Sequence, residues 1–177
     1  VSIIASAKSG KEFQPAPAGT HAAVCCDIVD LGTLEVTFGG KTKSQHKIRV
    51  VWQIDEERDD GKPFTVGKRY TLSLHEKSNL RKDLESWRGK SFTPEELDGF
   101  DLEVLIGIGC MVNIIHQPKQ DGGQPWANVA AVMKLLKGMS APIIREYVRV
   151  CDRKDEDNNQ SISESREYAI TDDDVPF

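Results

Sequence analysis

The chain has 177 residues, 38% of them hydrophobic and 29% charged, enough for one domain of about 150 residues that buries roughly 70% of its unfolded surface without staples. Its longest apolar runs, residues 104–108 and 129–132, fall far short of the roughly 18 residues a membrane-spanning helix needs. The net charge of −5 is unevenly placed: residues 1–150 carry 20 Lys and Arg against 19 Asp and Glu, and residues 151–177 carry 3 against 9. A body at +1 therefore precedes a tail at −6, and the global acidity does not argue against a polyanionic partner for the body.

No charged-then-apolar leader opens the sequence, and Cys25, Cys26, Cys110 and Cys151 have no CxxC spacing, so a reducing cytoplasm is the expected compartment. Cys25 and Cys110, each inside an apolar stretch, read as small core fillers.

Residues 1–19 are rich in Ala, Ser, Gly and Pro and read as an N-terminal arm. Residues 20–29 form a β-rich run, and residues 34–38 a second short strand closed by Gly39-Gly40, a pair suited to a tight hairpin. Residues 44–54 alternate, with Ile48, Val50, Trp52 and Ile54 on one face and Lys47, Arg49, Val51 and Gln53 on the other. A charged loop over residues 55–62 leads to a further alternating strand over residues 66–74.

Ser78 is placed as an N-cap, with Leu80, Leu84 and Trp87 at helical spacing and Gly89 as the stop. Thr93-Pro94-Glu95-Glu96 is a capping box that opens a short helix ending near Gly99. Strands return at residues 110–116 and 126–135 around a Gly/Pro loop. After Gly138 the chain leaves this body, with a short strand or helix at residues 143–150, and a polar tether follows from Cys151.

A helix between the third and fourth principal strands predicts a mainly β fold, a five-stranded barrel of the oligonucleotide-binding (OB) type over residues 20–150. An antiparallel sandwich carrying one helix fits the same pattern. Residues 151–177 form the acidic tether and tip.

Single-strand binding needs cations along the phosphates and flat rings for bases to stack on. Lys41, Lys43, Lys47 and Arg49 near the first hairpin, Lys68 and Arg69 on the next strand, and Arg81, Lys82 and Arg88 on the helix are the candidate cations. Trp52, Tyr70 and Trp87 lie on apolar parities and read as core, whereas Trp126, at the end of a loop, and Phe38, at a hairpin tip, are the candidate stacking rings. His46, His75 and His116 lack metal-ligand spacing, no phosphate-binding GxxxxGK[ST] loop occurs, and Ser73, His75 and Glu76 are too close on one strand to form a triad. No catalytic residue, metal or cofactor is expected.

The last six residues are Asp172, Asp173, Asp174, Val175, Pro176 and Phe177. Three acids, a residue that blocks helix and an aromatic ring make a plug for an apolar pocket with a basic rim. This tip closely resembles the C-terminal peptide of bacterial single-stranded DNA-binding proteins, with Val175 in place of the family's isoleucine. The resemblance implies that these six residues bind replication, recombination and repair proteins. Residues 66–90, with Lys68-Arg69-Tyr70-Thr71-Leu72-Ser73-Leu74-His75-Glu76-Lys77, also resemble small proteins encoded near replication genes in phages and prophages. The tether is shorter than the Gly/Gln/Pro-rich linker of the bacterial family and the body does not match its barrel, so the family's tetramer is not carried over.

The expected function is that of a non-catalytic protein that coats single-stranded DNA in the cytoplasm and recruits partners through its tip. The alternative is an adaptor or inhibitor that uses the tip to occupy host replication proteins without touching DNA.

Overall fold

The computed structural model describes residues 13–153, and its centre is one antiparallel sheet of five strands in the order β3-β2-β1-β4-β5. The strands are β1 (Gly19–Phe38), β2 (Lys41–Glu57), β3 (Pro63–Thr71), β4 (Gly109–Gln117) and β5 (Trp126–Met133). Two helices, α1 (Asn79–Arg88) and α2 (Pro94–Asp98), and a 3₁₀ turn at Leu102–Leu105 fill the connection from β3 to β4. Among the described residues no helix is long and apolar enough to cross a membrane.

The two short strands expected at residues 20–29 and 34–38 are one strand of 20 residues. The turn-like residues between them are absorbed by a register shift between Asp30 and Gly32, with Gly32 in the left-handed region at φ 72°. A second shift between Cys25 and Asp27 changes the parity of β1. Cys25 belongs to the core cluster, while Cys26 and Asp27 are buried outside it. The β1–β2 turn does follow its sequence, since Gly39 and Gly40 both have positive φ (57° and 77°), as a tight right-twisted hairpin requires.

Ile48, Val50, Trp52 and Ile54 all point into the core, as their alternation requires. α1 lays Leu80, Leu84 and Trp87 against them; the Trp52 and Trp87 rings lie 6.0 Å apart, and Trp87 Nε1 donates to Gly109 O at 2.9 Å. The caps form where the sequence places them, Ser78 accepting from Arg81 N and Thr93 exchanging hydrogen bonds with Glu96.

β3 and β5 are the two ends of the ladder, and they approach one another. The described part of the N-terminal arm packs here. Ala16 is in the core, its carbonyl accepts from the His116 ring at 2.6 Å, and Phe13, Gln14 and Ala16 line a small cavity with Phe64 and Gly67 of β3 and Ala127 of β5.

Between Gly138 and Arg153 the chain does not leave the body. Residues 139–153 return as an extended strap over the outer side of β1 and β2. The Gln53 side chain bonds Arg145 through both backbone groups (2.7 and 2.9 Å). Asp27, 1% exposed, accepts from Tyr147 Oη, Arg149 Nε and Val150 N at 3.1, 3.0 and 2.8 Å. A buried carboxylate without such donors is costly, so these bonds hold the strap down. In place of a strand or helix at residues 143–150, only a 3₁₀ turn at Val150–Asp152 is present.

Candidate nucleic-acid interface

Residues opposite one another on an antiparallel ladder share a face. β1 and β2 continue past the last β2–β3 pair, Lys47 with Thr71, as a two-stranded ribbon. Phe38 pairs with Lys41, Val36 with Lys43 and Leu34 with Gln45, which puts apolar residues and cations on one side of the ribbon. The other side carries Thr37 with Thr42, Glu35 with Ser44 and Thr33 with His46. Lys41 and Lys43 are exposed, and Phe38 is 50% and Leu34 40% exposed. The ribbon over residues 32–47 holds Lys41, Lys43 and Lys47 against Glu35, a balance of +2.

The same face continues onto the sheet, where Arg49 stands opposite Val29 on β1 and Arg69 on β3. Arg49 leans over Gly67, where a Cβ would lie 2.5 Å from Arg49 Nε. The strap covers the face one pair farther on, at Asp27 and Val51.

Phe38, Lys41, Lys43, Arg49 and Arg69 are thus brought onto one face. Lys47 stands between them but is only 5% exposed, and its Nζ donates to Thr71 Oγ1 at 2.9 Å. The expectation that Lys47 is an outward cation is corrected accordingly.

The remaining candidates are elsewhere. Lys68 pairs with the core residue Val50, so it turns toward α1 and forms an ion pair with Asp83 at 2.9 Å, which Tyr70 Oη joins at 2.7 Å. Arg81 is bonded to Glu85 and to Leu74 O. Arg88 forms a two-pronged bridge to Glu96 (3.1 and 2.7 Å) and stacks over Phe92, fastening α2 to α1. The Arg88 fork, with Thr93 N, holds the Glu96 carboxyl down at about 2. Lys82 is exposed on α1. Trp126 opens β5 opposite Gln117, toward the start of β1, while Phe38 ends β1; the Lys119 ammonium sits 3.8 Å from the Trp126 ring centroid.

The polar pins of the strap were missed in the sequence. Their signal was an Asp and a Gln inside apolar strand runs, each needing a partner, and the alternation of Arg145, Tyr147 and Arg149. Burial, then the neighbouring Cys26 and Asp27, push the Tyr147 phenol up, so it remains a donor. Bonds to Glu103 and Asp27 keep Arg149 charged.

Burial likewise pushes the Cys25 thiol up to about 12, in keeping with a core filler rather than a nucleophile. Among the described residues no group of three His, Cys, Asp or Glu is placed to hold a metal ion. The tip residues Asp172, Asp173, Asp174, Val175, Pro176 and Phe177 lie outside the described residues.

What the face offers is positive charge beside apolar and aromatic surface. No protein-family model matches the chain, and no curated protein matches it.

Proposed function

We propose that this protein binds single-stranded DNA on the face carrying Phe38, Lys41, Lys43, Arg49 and Arg69, coating it during replication or recombination in the cytoplasm, a phage-infected host included. The observation that carries the reading is the in-register placement of those cations beside exposed apolar residues on one face. Cations track phosphates and a ring such as Phe38 receives a base, the combination a sequence-tolerant binder needs. The sheet fits an OB-like barrel, since β1 serves both β2 and β4, a helix lies between β3 and β4, and β3 approaches β5. The tip, by its resemblance, recruits replication, recombination and repair proteins.

The adaptor reading is favoured by one observation: Lys47, Lys68, Arg81 and Arg88 have intramolecular partners, which leaves fewer cations for phosphate. Fluorescence anisotropy separates the two. The DNA reading expects tighter binding to oligo-dT than to duplex of equal length, with affinity falling as salt rises. Salt-insensitive binding, or equal affinity for duplex, overturns it.

A further inference from the structure

Between the C-terminal half of α1, the start of β4 and the residues just after β5 lies a cavity of about 350 Å³ that the DNA reading does not use. Leu84, Trp87, Phe92, Phe100, Leu105 and Ile108 form its apolar wall, and Arg88 and Lys134 stand among them as cations. Ile108 is 49% exposed although it lines the cavity. Lys134 lies along Gly89, where a Cβ would meet its Cδ at 3.0 Å, and the exposed Lys90 follows directly in the chain. An apolar cavity of about 150 Å³ already accepts benzene, so this one has room for a phenyl ring with a prolyl and an aliphatic neighbour.

We propose that this cavity seats the protein's own tail tip, with Phe177 against Trp87 and Phe92, Val175 and Pro176 beside Leu105 and Ile108, and Asp172, Asp173 and Asp174 facing Lys134 and Lys90. Three observations select that occupant. The first is charge: residues 154–177 hold 8 acids and 2 bases, whereas the cavity is lined by Arg88 and Lys134 and by no acidic residue. The second is where the chain departs. Arg149 bonds Glu103 at 2.8 Å, two residues from the wall residue Leu105, and the strap starts beside the cavity too, at Ala141 against Gly109.

The third is length. Eighteen residues, the number from 154 to 171, would reach roughly 25 Å as a random coil and about 60 Å at full extension. A tether of that kind gives an effective concentration of order mM, so an intrinsic affinity of about 1 mM suffices to keep the tip seated much of the time. The tip is then held at the helical end of the protein, and an outside partner must compete with this cavity to recruit it. The proposal does not depend on DNA binding.

The test uses the full chain with Phe177 replaced by the photoreactive p-benzoylphenylalanine, irradiated at low salt without DNA and mapped by peptide mass spectrometry. An adduct within residues 84–108 or at residues 134–135 is expected, formed within one chain when isotopically heavy and light copies are mixed. Lys134→Glu and Ile108→Glu, both at exposed positions, should each reduce that adduct several-fold without moving the unfolding midpoint. Attachment to residues 34–49, attachment only between copies, no adduct, or a yield unchanged by both substitutions would overturn the proposal. Anisotropy of the same protein with oligo-dT reports separately on the DNA reading.

Discussion

The side chain of Arg49 lies over the bare backbone of Gly67 on the neighbouring strand, in space that any Cβ would take. Gly67→Ala should therefore turn the guanidinium aside while leaving the fold intact, because the atoms in the way are the far end of a flexible side chain. Removing a glycine at compatible dihedrals stabilises by about 0.4–1 kcal/mol through the unfolded chain, which offsets the local crowding. The expected result is an unchanged unfolding midpoint with weaker oligo-dT binding. Unchanged binding would remove Arg49 from the interface.

Lys41 and Lys43 stand on the ribbon face with Phe38. Substituting both lysines by Ala should flatten the dependence of log affinity on log salt by about 0.7 for each phosphate left without its cation. Phe38→Ala should cost about 1–3 kcal/mol of binding if the ring stacks on a base, with no change of slope. Lys47→Ala serves as the contrast, since its partly buried bond to Thr71 predicts lower stability before any change in salt slope.

Asp27 ties the strap to the sheet through three donors. Asp27→Asn removes the charge that Arg149 meets and should lower stability by about 2–3 kcal/mol, less than a fully buried pair because Arg149 is partly exposed. Urea unfolding measures the loss. The rate of thiol modification at Cys26, 2% exposed beside Tyr147, should rise as the strap loosens. If neither changes, Asp27 does not hold the strap.

Glu96 has a carboxyl held down at about 2 by Arg88 and by Thr93 N, against roughly 4.3 in an unfolded chain. A depressed folded value means that the bridge adds stability above the unfolded value, and that this contribution is lost as pH falls from there toward 2. Glu96→Gln should therefore lower the thermal midpoint at neutral pH, and the gap to the parent should close between about pH 5 and pH 2. A gap independent of pH would mean that the bridge is not the source.

Much of the local structure was legible in the chain because its causes are local. Ile48, Val50, Trp52 and Ile54 declare a buried face by alternation, Ser78, Gly89 and Thr93 declare helix ends by capping chemistry, and Gly39-Gly40 declares a hairpin because few other pairs accept two positive φ values. The grouping of Phe38, Lys41, Lys43 and Arg49 near one hairpin follows from the same alternation. What each polar residue does was decided by segments far away in sequence. Lys68 is taken by Asp83 because α1 packs over the inner face, and Asp27 and Gln53 are buried because residues 145–150 lie across them. Two register shifts decided that β1 is one strand and that Asp27 faces the strap. A strand's period tells which residues share a face, but whether that face meets water depends on what the rest of the chain lays over it.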